Sequence, residues 1–154
     1  MAQAKTFNWY GSEDAVGIPG MKADTTGDVV DSLVAESGLN PGDPVIRGTS
    51  AGQVKAVTAA TDGPKAIGIV LHVHRELATD SKYYEAGYTV PVLTFGDVYV
   101  VAGGDVAAGD KADAAVAEDG SISFTKSAGA NTIPGAVFLD AGSKGDIVRL
   151  RIRQ

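Results

Sequence analysis

The stretch Ala107-Ala108-Gly109-Asp110-Lys111-Ala112 decides the fold, because its Gly-Asp turn repeats that of Asn40-Pro41-Gly42-Asp43-Pro44-Val45. After each turn comes a glycine followed by an apolar run, at Gly68 in the first copy and at Gly135 in the second. The pseudo-repeat covers residues 34–71 and 101–138. Each copy is too small to bury its own apolar face, so the repeat predicts two similar β-units folded onto one core.

Short β-prone segments separated by turn residues extend this prediction over most of the chain. The spacing predicts an all-β fold, either a compact β-barrel or a β-sandwich. Residues 28–37 are ambiguous, since their apolar positions also fit a helix, although alignment with the β-prone segment Val98–Val101 favours a strand. The predicted strands are Pro44–Arg47, Gln53–Val57, Ala66–Val73, Tyr88–Phe95, Asp97–Ala102, Lys111–Val116, Ser121–Thr125, Gly135–Asp140 and Asp146–Arg153.

Residues 1–27 show no sustained period and are predicted to form an extended N-terminal arm, with residues 28–154 as a single β domain. The arm carries a tight aromatic group, Phe7, Trp9 and Tyr10. Two interpretations stay open: these side chains cap the core of their own domain, or they reach a neighbouring molecule.

The last predicted strand has a clear two-residue alternation, which puts Val148, Leu150 and Ile152 in the core. The opposite row contains Arg149, Arg151 and Arg153. This basic row is a candidate interface, because the N-terminal third of the chain is mostly acidic and opposite charges can fix register between copies. The alternative is a solvated edge strand whose arginines discourage pairing with other edges.

Composition excludes several classes of partner. The formal net charge of −6 argues against nucleic acid, which requires a basic surface. The chain has no cysteine, and therefore no disulfide and no thiolate ligand. It contains no apolar run long enough to span a membrane and no secretion signal at its start, so we expect synthesis as a soluble cytoplasmic protein.

No catalytic residues, no metal site and no cofactor are predicted from the sequence. His72 and His74 share one face of a predicted strand, but zinc needs further ligands that no neighbouring residue is positioned to supply. There is no Gly-x-Ser-x-Gly elbow, and the glycines of Ala102–Asp105 lack the ending of a phosphate loop. The sequence therefore predicts a protein that is not an enzyme.

Four segments resemble the cement, or decoration, proteins of tailed bacteriophage heads: Val90–Val100, Val106–Ala112, Ile133–Leu139 and the closing Val148–Ile152. The first half, Asn40–Leu71, is similar to the matching part of that family. The resemblance implies a β-rich virion protein that binds the outside of the assembled capsid and stabilises it. It further implies the major capsid protein and sister copies in a homotrimer as partners, after synthesis in the host bacterial cytoplasm.

An alternative function is a receptor- or glycan-binding β-module displayed on a virion surface. Such sites usually expose aromatic side chains, and the best candidate patch is Tyr83-Tyr84 in the long predicted loop Arg75–Gly87.

Overall fold

The computed structural model describes residues 17–24, 27–74 and 83–154, and within these ranges the chain is built from β-strands. The all-β prediction is therefore confirmed. The strands are β1 Val29–Ala35, β2 Pro44–Arg47, β3 Gln53–Ala56, β4 Gly68–Val70, β5 Thr89–Val101, β6 Lys111–Val116, β7 Ile122–Lys126, β8 Thr132–Phe138 and β9 Ile147–Arg153. One 3₁₀-helix, Ala60–Lys65, lies between β3 and β4. No helix in the described ranges is long and apolar enough to cross a membrane.

The ambiguous segment 28–37 is a strand, because β1 pairs antiparallel with β5 over almost its whole length. The alanine-rich β6 is also a strand, held between β7 and β8. Alanine has no strong β preference of its own, so neighbouring strands decide its conformation here.

The strands form two closed rings that share β5. The first ring runs β1-β3-β2-β4-β5 and closes because β1 pairs back onto β5. The second runs β5-β9-β8-β6-β7 and closes through a parallel bridge between Ala102 and Phe124. β5 is long enough to serve both rings, and Gly96 in its middle has φ +142° at the change from one ring to the other. Closing a sheet into a ring pairs most of the strand edges that would otherwise favour aggregation.

The repeated Gly-Asp turns have the same geometry. Asp43 accepts a hydrogen bond from the Asn40 amide at 2.8 Å, and Asp110 accepts one from the Ala107 amide at 3.0 Å. The glycine of each turn has a positive φ, which glycine adopts without strain. A third turn of this type, Ser143–Asp146, precedes β9 and was not recognised in the sequence as a further Gly-Asp turn.

The two rings also correspond in their cross-strand bonds. Leu39 bridges Tyr84 antiparallel in the first half, and Val106 bridges Gly142 antiparallel in the second. These matched pairs support the prediction of two similar β-units.

The sequence alignment of Gly68 with Gly135 was wrong by one residue. Pro44 pairs with Ile69 in the first ring, whereas the equivalent Lys111 pairs with Val137 in the second. Ala136 therefore takes the place of Gly68. The extra residue is absorbed at a register shift in the β6–β8 pairing, beside Gly135 with its φ of +66°.

Each ring has its own apolar filling. One buried cluster lies in the first ring and includes Val45, Val54, Tyr84 and Val92. A larger cluster fills the second ring and extends to residues of β4 and the adjoining part of β5. The larger cluster contains Val57, Ala66, Ile69, Leu71, Leu93, Val98, Val100, Ala102, Val106, Ala112, Ala114, Phe124, Ile133, Ala136, Phe138, Val148, Leu150 and Ile152.

Candidate interaction surface

The aromatic group Phe7, Trp9 and Tyr10 lies outside the described residues, so its contacts stay a prediction. Only residues 17–24 and 27 of the predicted arm are described.

This described part of the arm lies against β5. Gly20 donates its amide to the carbonyl of Tyr99 at 2.8 Å, and Tyr99 donates to Met21 at 2.9 Å. Further along, Ala23 donates to the carbonyl of Asp97 at 2.8 Å. A Cβ on Gly17 would overlap the ring of Tyr99, so the chain passes this ring in close contact. Residues 17–24 are therefore part of the body.

The predicted alternation of β9 is confirmed, since Val148, Leu150 and Ile152 are buried. The arginine row is engaged within the molecule. The guanidinium of Arg149 donates two hydrogen bonds to Asp140, at 2.9 and 2.7 Å.

Arg151 makes the same two-bond pair with Asp97 on β5, with both distances 2.7 Å. Arg153 lies over the ring of Phe95, with its guanidinium carbon 5.5 Å from the ring centre. β9 is not an edge strand, because β5 and β8 pair with it on either side. An interface role for these arginines stays a prediction, and it would have to use groups that already have partners.

The charge pairs shift the ionisation of their members. The hydrogen bond from Arg149 lowers the pKa of Asp140, and the same pair raises the pKa of Arg149. The hydrogen bond to Asp97 likewise raises the pKa of Arg151. Each of these pKa shifts arises because the hydrogen-bonded pair stabilises the charged form of Asp140, Arg149 or Arg151.

The prediction that Tyr83 and Tyr84 form an exposed patch is wrong for Tyr84. Tyr84 is 1% exposed, and its hydroxyl donates to the carbonyl of Leu71 at 2.7 Å. Tyr83 is half-buried, its ring centre 5.0 Å from that of Tyr84, and its hydroxyl donates to the carbonyl of Val73. The sequence placed Tyr84 in an exposed loop because it could not see that Tyr84 pairs with Leu39 and enters the core of the first ring.

The two histidines do not assemble a metal site with the residues that are described, where no three His, Asp or Glu side chains are grouped closely enough to hold an ion. His72 packs beside Tyr83, with ring centres 5.2 Å apart, and its amide donates to the carbonyl of Gly20. His74 is exposed.

Two shallow clefts lie where the rings meet. Their volumes are about 180 and 370 Å³, and both are lined by Asp43 and Ile122. The carboxylate of Asp43 already accepts the amide of Asn40 in the turn.

An exposed apolar strand is the surface feature that the sequence reading missed. Of the seven residues of β1, only Ala35 is buried. Val29 is 51% exposed, Val30 38% and Val34 36%. The valines were visible in the sequence, but nothing local indicates that β1 leaves them uncovered.

The exposed valines of β1, on a body of two closed β-rings, form a candidate surface for binding another protein. The comparisons with known proteins name the family. Residues 7–153 match the model of the structural cement protein family (E217 gp24/Pam3 gp6). The chain belongs to this family, and the resemblance to phage cement proteins is confirmed.

A solved structure of a phage capsid contains a chain with the same fold. A chain of the capsid of Myoviridae phage XM1 is similar with a TM-score of 0.68 and 19% identity, covering 96% of this chain and 98% of that one. The head fibre gp8.5 N base of bacteriophage phi29 is similar with a TM-score of 0.44 and 16% identity, covering 82% of this chain and 94% of that one. No curated protein sequence matches the chain.

Proposed function

We propose that this protein binds the outer surface of an assembled bacteriophage head and stabilises the shell as a cement protein. The observation that carries the proposal is the family match, which extends over residues 7–153 and so includes both rings and the charged pairs between strands. The fold that the chain shares with a capsid chain of phage XM1 supports it.

Stabilisation follows from differential binding. A protein that binds the assembled shell more tightly than the separated subunits shifts the equilibrium toward the shell. Many weak contacts on a repetitive surface add to a strong total, provided that each copy keeps its shape. The closed rings supply that rigidity, because almost every strand edge is paired.

Our proposal extends to the partners. The major capsid protein is the surface that is bound, and several copies, in the simplest case a homotrimer, act together. Cyclic assemblies of this kind match the local symmetry axes of a shell. We also propose that the protein is synthesised in the cytoplasm of the host bacterium.

Mixing the purified protein with undecorated heads and sedimenting them tests the function. We expect the protein in the pellet at a fixed ratio to the capsid protein, and we expect decorated heads to withstand a higher temperature before they dissociate. Protein that stays in the supernatant, with heads no more stable than before, would contradict the proposal.

A variant that lacks residues 2–16 tests the role of the arm. The deletion stops before Gly17 because residues 17–24 are hydrogen-bonded to β5 and belong to the body. We expect native mass spectrometry to show loss of the oligomer, while thermal unfolding of the body is preserved. An unchanged oligomer and unchanged head binding would refute an assembly role for the arm.

A further inference from the structure

The exposed strand β1 has one incompletely paired edge. β5 pairs with β1 along one side, from Val29 to Val34. On the other side β3 reaches only Val34 and Ala35. The first five residues of β1 therefore lack a neighbouring strand on this side among the residues that the structure describes.

The free edge offers backbone hydrogen-bonding groups. The amide of Val34 points away from β5, because it donates to the carbonyl of Gly52 at 2.9 Å. Residues two apart in a strand direct their backbone N–H and C=O groups to the same side, so the N–H and C=O groups of Ser32 and Val30 also point away from β5. Pro91, which lies opposite Ser32 on β5, has no amide to offer, in agreement with this direction.

The side chains around the edge suit an added strand. An unpaired edge flanked by exposed apolar side chains is a template for a strand from another chain. Here Val29, Val30 and Val34 are exposed around it. In such strand addition the backbone supplies the hydrogen bonds, and the alternating side chains supply the specificity.

A segment of this chain has the matching chemistry. Residues 5–10, Lys-Thr-Phe-Asn-Trp-Tyr, are rich in β-branched and aromatic residues and contain neither glycine nor proline. Phe7 and Trp9 are two apart, so in a strand they would lie on one face.

The position where the arm leaves the body favours a second copy as the acceptor. Ala23 bonds to Asp97 and Gly20 to Tyr99, so the chain, followed back toward Gly17, runs toward the Val101 end of β5. The free edge of β1 lies beside the opposite end of β5. A fully extended chain rises about 3.3 Å per residue, so the seven steps from Gly17 back to Tyr10 allow the segment a reach of roughly 23 Å from the body.

We propose that residues 5–10 of one copy add as a strand to the free edge of β1 in a neighbouring copy, covering its exposed valines. The contact is head-to-tail, so each copy gives one strand and accepts one, and the copies form a closed ring when the rotation between neighbours closes. The inference rests on the proposed function in one respect, that the copies act together.

Because the chain has no cysteine, disulfide trapping tests the contact cleanly. One preparation carries Ser32→Cys, and a second, enlarged by a mass tag, carries Asn8→Cys. The two preparations are mixed and mildly oxidised, both in free solution and on undecorated heads. The disulfide between the two chains should form about tenfold faster with Ser32→Cys than with Ser121→Cys, because assembly raises the local concentration of the thiol at position 8 beside the edge of β1. Ser121 is an exposed serine at the turn before β7 and serves as the matched control.

A charged substitution on the free edge of β1 provides a second test. Val30→Lys in the Ser32→Cys chain should reduce the mixed disulfide to the level of the control, whereas Val30→Thr should retain it, since threonine still favours a strand. Thermal unfolding of both variants shows that the body is folded.

Three results would overturn the inference: no mixed disulfide in either setting, equal yields with Ser32→Cys and Ser121→Cys, or, in a variant that carries both Asn8→Cys and Ser32→Cys, a disulfide that forms only within one chain. Head binding by sedimentation is measured on the same samples. Intact head binding without the mixed disulfide refutes the strand exchange alone, and loss of head binding in the unmodified protein refutes the proposed function.

Discussion

Replacing Tyr84 by phenylalanine separates a structural tyrosine from a ligand-binding one. Tyr84 is 1% exposed, and its hydroxyl is the donor to the carbonyl of Leu71, which is itself 5% exposed. Tyr84→Phe leaves that carbonyl without this donor in a place where water has little access. A buried polar group without a partner costs about 1–3 kcal/mol, so we expect a loss of about 1.5 kcal/mol in the free energy of unfolding. For a domain of this size that corresponds to a melting temperature roughly 3–6 °C lower.

Tyr84→Ala removes the whole ring as well. The cavity in the first ring adds about 3–5 kcal/mol, so this variant should be several times more destabilised. Tyr83→Phe is the matched control, because the hydroxyl of Tyr83 bonds to the carbonyl of Val73, an exposed residue whose carbonyl water can reach. We expect it to cost about 0.5 kcal/mol.

Urea unfolding of the three variants, followed by fluorescence and by circular dichroism, gives the free energies. Head binding by Tyr84→Phe should equal that of the unchanged protein. The reasoning is refuted if Tyr84→Phe and Tyr83→Phe lose the same stability, since burial would then not decide the cost.

Three further predictions concern two glycines at positive φ, the aspartate of a charged pair and a buried aromatic side chain of the second ring. Gly135→Ala should cost about 2 kcal/mol or more, since φ is +66° and the new Cβ would overlap the carbonyl oxygen of Arg153. Gly145 is also at positive φ but has open space around it, so Gly145→Ala should lower the free energy of unfolding by only about 1 kcal/mol. Equal urea midpoints for the two variants would contradict the steric argument. Because the hydrogen bond from Arg149 lowers the pKa of Asp140, this carboxylate stabilises the fold at a pH above its unfolded pKa of about 4. That contribution is lost as the pH falls through the lower pKa of the folded state. Urea midpoints should therefore be flat from about pH 7 to 5 and decline below about pH 4. Asp140→Asn should weaken that decline, and a profile identical to that of the unchanged protein would exclude the contribution of Asp140. Phe124→Ala should destabilise by about 3–5 kcal/mol, because this buried side chain also lies where the second ring closes, and a loss under about 1 kcal/mol in calorimetry would show that the site is poorly packed.

The sequence was sufficient for the features that short stretches encode. The turns at Gly42 and Gly109 were found because a positive φ and an aspartate that accepts a nearby amide are local requirements. The alternation of β9 was found because the two-residue period of a strand is visible in any sequence with one buried face. The family resemblance also came from such turn-and-strand patterns.

The candidate surface was predicted less well. Arg149 and Arg151 were placed on the outer face of β9, yet nothing in their neighbourhood in sequence indicates that Asp140 and Asp97 hold them. Tyr84 was placed at the surface because it lies in a long predicted loop, and its pairing with Leu39 is not visible in the sequence.

What the sequence by itself determined is the all-β class, the two similar units and the direction in which each side chain of β9 points. These depend on interactions between residues that are near one another along the chain, where backbone geometry limits the choices. Only the tertiary structure decided that the strands close into two rings on a shared β5, that Tyr84 is core and that the valines of β1 are left exposed. The physical reason is that burial and ring closure depend on contacts between residues far apart in sequence, such as Ala102 with Phe124, and no local pattern fixes which distant strands meet.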